Sequence, residues 1–305
     1  MARVGYSSNG MLRALEMSRA NVTAFVEGFL DRSFFSHLIG SNTSAGGKAI
    51  EIRLAHELDS SLGNGKTALL VLHAKLRERS RLAFTIGTER KAVLFFLDKD
   101  VDDIRRTRKR CAHVIYTEHY SVENYLFRNG DMCKALSCGA CLDCQSIGAW
   151  PSNRAWTRQA ARAWAEWIAF CLMTSKFRTP GLPNFGARSL IHDGEYGPLN
   201  TAKETNLLTA VSKRTGKTMA VVRAAYEREL KRVVESVGND TVDGFFNGKW
   251  YSGFLAKDAE RVAAGRQLPQ GLEERLETAL LTTLDFRGDW VNELQKGTTR
   301  ILSRL

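Results

Sequence analysis

Residues 22–32 read VTAFVEGFLDR, a short apolar run that ends in Glu27-Gly28 and leads into an amphipathic segment. An acid at the carboxyl end of a buried strand faces the crevice in which α/β sheets bind their ligands. A glycine at this point allows a sharp turn and the close approach of a ligand to the backbone. The stretch therefore predicts a strand, a turn that carries Glu27, and a helix, at the edge of a ligand site.

A second stretch of the same kind lies further along the chain. Residues 91–103 read KAVLFFLDKDVDD, in which a stronger apolar run ends in Asp98-Lys99-Asp100. Residues two apart on a strand share a face, so Asp98 and Asp100 can hold one ion if the strand continues through them. Clustered carboxylates repel one another, and a hard divalent cation such as Mg²⁺ removes that conflict. Together with Glu27 they predict a metal site; the alternative is that all three are ordinary loop or helix-capping residues.

The pattern of the chain predicts two regions. Strands and helices alternate over the first part, with strands at 22–26, 49–54, 91–97 and 111–117 and helices at 29–39 and 66–79. This order is typical of a small parallel sheet with helices on both faces. The second part is mostly helical, with helices predicted at 156–176, 218–237, 250–264, 272–284 and 290–305. We therefore predict an α/β domain over 1–130 and a helical domain over 131–305.

Composition and charge limit the class of protein. The chain has 305 residues, of which 44% are hydrophobic and 25% charged, and it is long enough for a second domain. Its net charge of +11 favours a polyanionic partner such as nucleic acid, although a basic protein need not have one. The N-terminal residues lack a secretory apolar region and no apolar run could span a membrane, so we expect a cytoplasmic protein.

Basic residues lie close to the predicted acidic site. Residues 105–110, RRTRKR, are the densest basic run and directly follow the second acidic stretch, so they are either phosphate contacts or a solvated helix face. Lys66 opens a predicted helix, whose N-terminus favours an anion. It is not part of a Walker A loop, because Ser60 stands where the first glycine is required, and we predict no nucleotide hydrolysis. The candidate phosphate-binding residues are Lys66, Arg105, Arg106, Arg108 and Lys109.

Four cysteines, Cys133, Cys138, Cys141 and Cys144, could in principle fill a tetrahedral metal site. They lack the two CxxC knuckles separated by a longer spacer that indicate zinc strongly. In a chain with no export signal, semi-buried free thiols on a helix or tight loop are the favoured interpretation.

The two acidic stretches together resemble the TOPRIM pattern, which has a Glu-Gly after the first strand and an Asp-x-Asp after a later one. Residues 120–126, YSVENYL, are similar to a motif of the TOPRIM-like branch related to OLD-family nucleases. The best-known members of that branch are the AriB-type toxin subunits of PARIS anti-phage systems. The motifs cover residues 20–127; beyond them only the length and the helical character are similar.

The resemblance implies a TOPRIM-like sheet and a role for each acid. Glu27 is then the catalytic glutamate, Asp98 and Asp100 are the metal-binding pair, and Glu123 either completes the site or hydrogen-bonds within the fold. Glu27 would also act as a further metal ligand. The implied activity is that of a nuclease dependent on Mg²⁺ or Mn²⁺.

The resemblance also implies a biological setting. The nuclease would be a toxin held inactive by an ABC-type ATPase partner through its helical domain, which could serve partner binding, dimerisation or substrate binding. A phage protein would trigger its release as a homodimer that cleaves transfer RNA and arrests translation. Two alternatives remain: an OLD-like DNA nuclease of repair or defence, and a TOPRIM-like module that grips nucleic acid without cutting it.

Overall fold

The computed structural model describes residues 8–41 and 48–303, and the chain divides into two compact units. The first unit comprises Met1–Lys99, Lys109–Glu118 and Asp285–Leu305, and the second comprises Asp100–Arg108 and His119–Leu284. The units are interleaved along the chain. The roles predicted for residues 1–130 and 131–305 remain predictions.

The first unit contains a mixed sheet of five strands with helices packed against it, so the predicted α/β class is confirmed. Along the sheet the order is β2-β1-β4-β3, and β5 pairs with the carboxyl-terminal part of β4. β1 runs parallel to β2 and β4, and β5 runs parallel to β4. The strands are β1 Val22–Val26, β2 Ile50–Leu54, β3 Ala83–Ile86, β4 Glu89–Leu97 and β5 Val114–Tyr116.

The prediction of a wholly parallel sheet is wrong for one strand. β3 runs antiparallel to β4, and only Gly87 and Thr88 separate them. Gly87 has φ 58°, a left-handed conformation that glycine adopts readily. A two-residue connection can join only antiparallel neighbours. Most side chains of β3 are exposed, so the strand carries no clear apolar alternation from which it could be predicted.

The helices of the first unit are α1 Ser8–Met17, α2 Phe29–Gly40, α3 Ala55–Leu58, α4 Lys66–Glu78 and α15 Asn292–Leu302. Those of the second unit are α5 Asp102–Arg105, α6 Val122–Asn129, α7 Met132–Gly139, α8 Cys144–Ile147, α9 Asn153–Ala163, α10 Ala165–Phe177, α11 Thr201–Thr215, α12 Met219–Gly238, α13 Gly248–Ala263 and α14 Leu272–Thr282. α11 was not predicted from the sequence pattern, whereas the helices predicted near 218–237, 250–264 and 272–284 are confirmed to within two residues at each end.

Helices cover both faces of the sheet. Alternate residues of β4 point to opposite faces, so this strand packs against helices on both sides. On one face Phe95 stacks on Phe25 at 5.6 Å between ring centroids, in a core that α1 and α4 complete. On the other face Phe96 stacks on Phe35 of α2 at 4.2 Å. This layered burial explains why β4 is the most continuous apolar run of the sequence.

The last helix of the chain belongs to the sheet's unit. A Cβ atom at Gly297 of α15 would lie 3.2 Å from carbon atoms of Ile115, so the helix approaches β5 closely. Lys48 Nζ donates a hydrogen bond to the carbonyl oxygen of Leu302 at 2.6 Å. The sequence pattern places this helix in the helical region. Its packing partners lie far from it in the sequence, and a local pattern does not show such contacts.

α10 is the central helix of the second unit, and its residues Ala165–Ser175 are all buried except one. The single helix predicted at 156–176 is divided into α9 and α10, because Trp164 leaves helical geometry at φ −114° and ψ 23°. Its indole Nε1 donates to the carbonyl oxygen of Glu195 at 3.0 Å. The tryptophans of this stretch are buried, as predicted. None of the helices in the described ranges is long and apolar enough to cross a membrane.

Candidate catalytic site

Two of the predicted acids meet at one edge of the sheet. Glu27 and Asp98 directly follow β1 and β4, which are neighbouring parallel strands. The backbone N–H of Asp98 donates a hydrogen bond to Glu27 Oε1 at 2.9 Å. Asp98 is 8% exposed. The first unit therefore brings the Glu27 carboxylate to the backbone of Asp98 at the carboxyl ends of its strands.

The start of α4 lies beside the same pair. The backbone N–H of Gly65 donates to the carbonyl oxygen of Glu27 at 3.0 Å, and Gly65 has φ 86°, a conformation that favours glycine. Lys66 is the first residue of α4, and its Nζ lies 5.7 Å from the ring centroid of Tyr116 at the end of β5. A helix N-terminus attracts anions. Lys66 and the acid pair thus occupy the same edge of the sheet.

The chain bends at Glu27 and Gly28, as predicted, but the backbone conformation of Gly28 does not require glycine. Gly28 has φ −146° and ψ −178°, an extended conformation that any residue can adopt. A Cβ atom at this position would lie 3.1 Å from Asp31 Oδ2. The glycine is therefore favoured by the close approach of the Asp31 carboxylate.

The strand does not continue through Asp100, so the same-face argument for Asp98 and Asp100 fails. Asp100 has φ 47°, and its backbone N–H donates to the carbonyl oxygen of Tyr120 at 2.8 Å. Lys99 is buried, with its N–H bonded to Thr117 Oγ1 at 2.9 Å. The chain leaves strand geometry here because these residues find partners outside the ladder. A joint role of Asp98 and Asp100 stays a prediction.

The donor chemistry of the acid pair suits a hard cation. Within residues 8–41 and 48–303, no three His, Cys, Asp or Glu side chains are grouped so as to hold a metal ion. Mg²⁺, however, is often bound in proteins by one or two carboxylates, with waters and substrate phosphates at its other positions. Glu27 and Asp98 provide such a two-carboxylate set.

The cysteine cluster differs from its prediction in exposure. Cys133, Cys138 and Cys141 are free thiols that are exposed rather than semi-buried. Cys133 and Cys138 lie on α7, and Cys141 has φ 56° in the turn that follows it. The side chain of Cys144 lies outside the described part of the chain.

The Arg-rich segment is not a long helix. α5 ends after one turn because Arg106 adopts the left-handed conformation at φ 56°. Arg106 and Arg108 are exposed, whereas Arg105 and Lys109 are partly buried. The N–H of Lys109 donates to the Tyr116 hydroxyl at 2.9 Å. Contact of these residues with phosphate stays a prediction.

Glu123 lies in the second unit, in the first turn of α6, and is 6% exposed. Its Oε1 is 4.0 Å from Lys249 Nζ, and its Oε2 is buried with no hydrogen-bond partner among the described residues. Nearby, the Ser252 hydroxyl donates to Glu277 Oε1. Burial raises the pKa of Glu277 to about 7, and the charge of Glu123 adds to the rise while the Ser252 hydrogen bond opposes it.

The neighbour of Glu123 in the motif, Asn124, is fully buried and is a structural residue that the sequence reading missed. Its Nδ2 donates to Asp243 Oδ1 at 3.1 Å and to the carbonyl oxygen of Phe246 at 3.0 Å. Its Oδ1 accepts from the backbone N–H of Ser121 at 3.0 Å. The available signal was the spacing of Ser121 and Asn124, which matches a helix-capping box.

No protein-family model matches the sequence, and no curated protein matches it as a relative. The TOPRIM-like resemblance therefore stays an expectation.

Proposed function

We propose that this chain is a metal-dependent nuclease whose active site is built on Glu27 and Asp98, with Asp100 as a further ligand. The observation that supports the proposal is the contact of Glu27 with the Asp98 N–H at 2.9 Å, at the carboxyl ends of two neighbouring parallel strands. Open α/β sheets bind their ligands at this end. The net charge of +11 suits a polyanionic substrate.

The residues have distinct tasks in this proposal. Glu27, Asp98 and Asp100 would hold Mg²⁺ or Mn²⁺, which when bound supplies Lewis-acid stabilisation and a water of lowered pKa. Glu27 takes or gives a proton at the attacking or leaving oxygen. The Asp98 N–H fixes the orientation of the Glu27 carboxylate. Lys66, at the N-terminus of α4, contacts a substrate phosphate.

The finer proposal rests on the motif resemblance. The chain would be a TOPRIM-like toxin of a two-component anti-phage system, sequestered by an ABC-type ATPase until a phage protein is sensed. Its substrate would be transfer RNA, its active form a homodimer and its location the cytoplasm. The support is the order of the three motifs at 22–32, 91–103 and 120–126.

A cleavage assay tests the activity. Purified protein is incubated with Mg²⁺ and either transfer RNA or duplex DNA, alongside Glu27→Gln and a control, Glu89→Gln. Glu89 opens β4 at the opposite end of the strand from Asp98, and its side chain is 64% exposed. We expect Glu27→Gln to lose cleavage and Glu89→Gln to keep it. Wild-type rates in Glu27→Gln would refute the site, and cleavage of DNA alone would favour the OLD-like alternative.

Co-expression tests the partner. The chain is produced with a candidate ABC-type ATPase and analysed by size-exclusion chromatography, with and without a phage trigger. A stable complex that releases a homodimer on triggering is the expected result. A monomer that never associates with the ATPase would refute the toxin role and leave the nuclease proposal standing.

A further inference from the structure

Three segments of the second unit, each at the end of a helix, carry a large excess of positive charge. They are residues 102–108 around the end of α5, residues 176–181 around the end of α10, and residues 213–218 around the end of α11, and we call them together the basic surface. These nineteen residues include eight basic and two acidic side chains, a surplus of six within a chain of net charge +11. More than half of the net charge thus lies in a small part of the sequence.

The three segments contact one another. Arg178 Nη2 donates to the carbonyl oxygen of Arg105 at 3.5 Å, which joins the ends of α10 and α5. Lys217 Nζ lies 5.4 Å from the ring centroid of Phe177, which joins the end of α10 to the segment after α11. A Cβ atom at Gly181 would lie 3.8 Å from Arg214 Nη2. The charges therefore share one surface.

Most of these charges are not neutralised by the fold. Arg108 pairs with Asp103 at 2.5 Å, and Lys176 pairs with Glu229 at 2.6 Å. In the part of the chain that the structure describes, no ion pair involves Arg178, Arg214 or Lys217, and all three are exposed. Exposed like charges that stand together repel one another, which lowers stability unless a ligand compensates.

Helix ends alone do not account for this accumulation. A cation near a helix C-terminus interacts favourably with the helix dipole, by about 0.3 to 1 kcal/mol. One cation per end supplies that interaction, and Lys176 and Arg105 already do so for α10 and α5. Arg178 and Lys217 lie beyond the last helical residues, at Phe177 and Thr215.

We infer that the basic surface binds the phosphate backbone of a nucleic acid. This inference rests on the proposed nuclease function for the identity of the ligand. Arg105 follows Asp100 by five residues within Asp100–Arg108, so the surface is continuous in the chain with a proposed metal ligand. A nucleic acid carries one charge per nucleotide and releases counterions when cations replace them. Arg178 and Arg214 can each contact phosphate through two donors.

An anionic membrane fits the surface less well. Peripheral membrane binding combines cations with large apolar side chains that enter the interface. In the described residues, the exposed large hydrophobic side chains all lie outside the three segments. Binding to lipid is therefore an alternative outcome of the test.

Fluorescence anisotropy with the full chain tests the inference. The probe is a fluorescein-labelled single strand of about 20 nucleotides, as RNA or DNA, without divalent metal, at about 50 to 200 mM KCl. The variant Arg178→Gln/Arg214→Gln/Lys217→Gln is compared with Arg158→Gln/Arg162→Gln/Lys231→Gln. The control removes three exposed cations that likewise form no ion pair in the described residues, but they lie on α9 and α12.

The expected result is a change in salt dependence. The loss of three phosphate contacts should flatten the slope of log K against log salt by about two units and weaken binding about tenfold at the lowest salt. The control should keep the wild-type slope. A third variant, Arg178→Lys/Arg214→Lys, keeps the charges and should keep most of the slope, which separates lost charge from lost folding.

Other outcomes overturn the inference. These are an unchanged slope in the triple Gln variant, equal losses in the control, or wild-type binding to phosphatidylserine vesicles or polyglutamate in place of the oligonucleotide. The nuclease proposal fails separately. A protein that binds with the expected slope but never cleaves retains the basic surface and loses the proposed activity. A protein whose cleavage depends on Glu27, but whose binding is unaffected by the triple Gln substitution, retains the proposed activity and loses the basic surface.

Discussion

Two pairs of acids, one in each unit and each with one buried and one partly buried member, differ in what surrounds them. At the sheet edge, Glu27 Oε1 accepts a hydrogen bond from the Asp98 backbone N–H at 2.9 Å. Among the helices of the second unit, Glu123 Oε2 is buried without a hydrogen-bond partner in the described residues, and Glu277 has a pKa of about 7. In the first pair a backbone N–H holds a carboxylate, whereas in the second pair burial raises the pKa of Glu277.

The difference indicates which pair is fitted for chemistry. Carboxylates at the carboxyl ends of parallel strands stand where α/β sheets bind ligands. The acids on α6 and α14 are packed within a helical unit, where burial penalises the charged form. We therefore expect changes in the sheet-edge pair to alter activity and changes in the helical pair to alter stability.

The largest expected effect is on cleavage. Glu27→Ala and Asp98→Asn should each lower the rate by about 10³-fold without loss of folding, because they remove a proton-transfer group or a ligand. Glu123→Gln should lower it by less than about tenfold. Single-turnover rates with Mg²⁺ on the preferred substrate measure all three. A loss in Glu123→Gln as large as that in Glu27→Ala would remove the distinction between the pairs and place Glu123 in the active site.

The next effect separates Asn124 from its neighbour Glu123. Asn124→Ala removes the side-chain donor to the Phe246 carbonyl and one of the donors to the buried Asp243, which keeps Tyr251 and Arg128, and should cost about 3 kcal/mol of unfolding free energy. Glu123→Gln should cost much less, because Glu123 Oε2 has no hydrogen-bond partner to lose in the described residues and Oε1 is only 4.0 Å from Lys249 Nζ. Urea unfolding followed by tryptophan fluorescence measures both, since five of the six tryptophans lie in the second unit. Equal losses in the two variants would contradict this assignment.

Glu277 should make the stability of the second unit depend on pH. Its pKa is about 7 in the folded protein, above the ordinary value of 4.5, so the folded state binds a proton that the unfolded state has released. Stability should therefore fall as pH rises through this window, by roughly 3 kcal/mol in total, and stay low above it.

Glu277→Gln should remove that fall. Unfolding free energies measured between about pH 4 and 8 should converge for the two proteins at low pH and separate at high pH, with the variant more stable. Lys249, Ser252, Glu123 and Glu274 also contact or influence Glu277, so Glu274→Gln is the matched control and should keep most of the pH dependence. Parallel curves for Glu277→Gln and the wild type would show that another group titrates.

The sequence predicted those parts of the molecule that depend on local pattern. The apolar runs of β1 and β4 are long and buried, so both strands and the acids after them were found. β3 was missed because it is short and mostly exposed. The place of α15 on β5 and the contact of Asn124 with Asp243 join residues far apart in the chain, for which a single sequence has no signal. The prediction of strand geometry at Asp100 was wrong because its backbone N–H donates to a carbonyl far away in the chain, that of Tyr120.

The smallest effect concerns Asp100, where backbone and side chain can be tested apart. At φ 47° a residue with a Cβ is strained by about 1 kcal/mol, and glycine is not. Asp100→Gly should relieve this strain, whereas Asp100→Ala keeps it, so the glycine variant should be the more stable of the two by up to about 1 kcal/mol. Both variants lack the carboxylate and should lose cleavage to the same degree if Asp100 binds the metal. Urea unfolding and single-turnover rates, measured on the same preparations, give the two quantities independently. Cleavage that follows stability, with glycine more active than alanine, would show that Asp100 serves only the path of the chain, and the site would then rest on Glu27 and Asp98 alone.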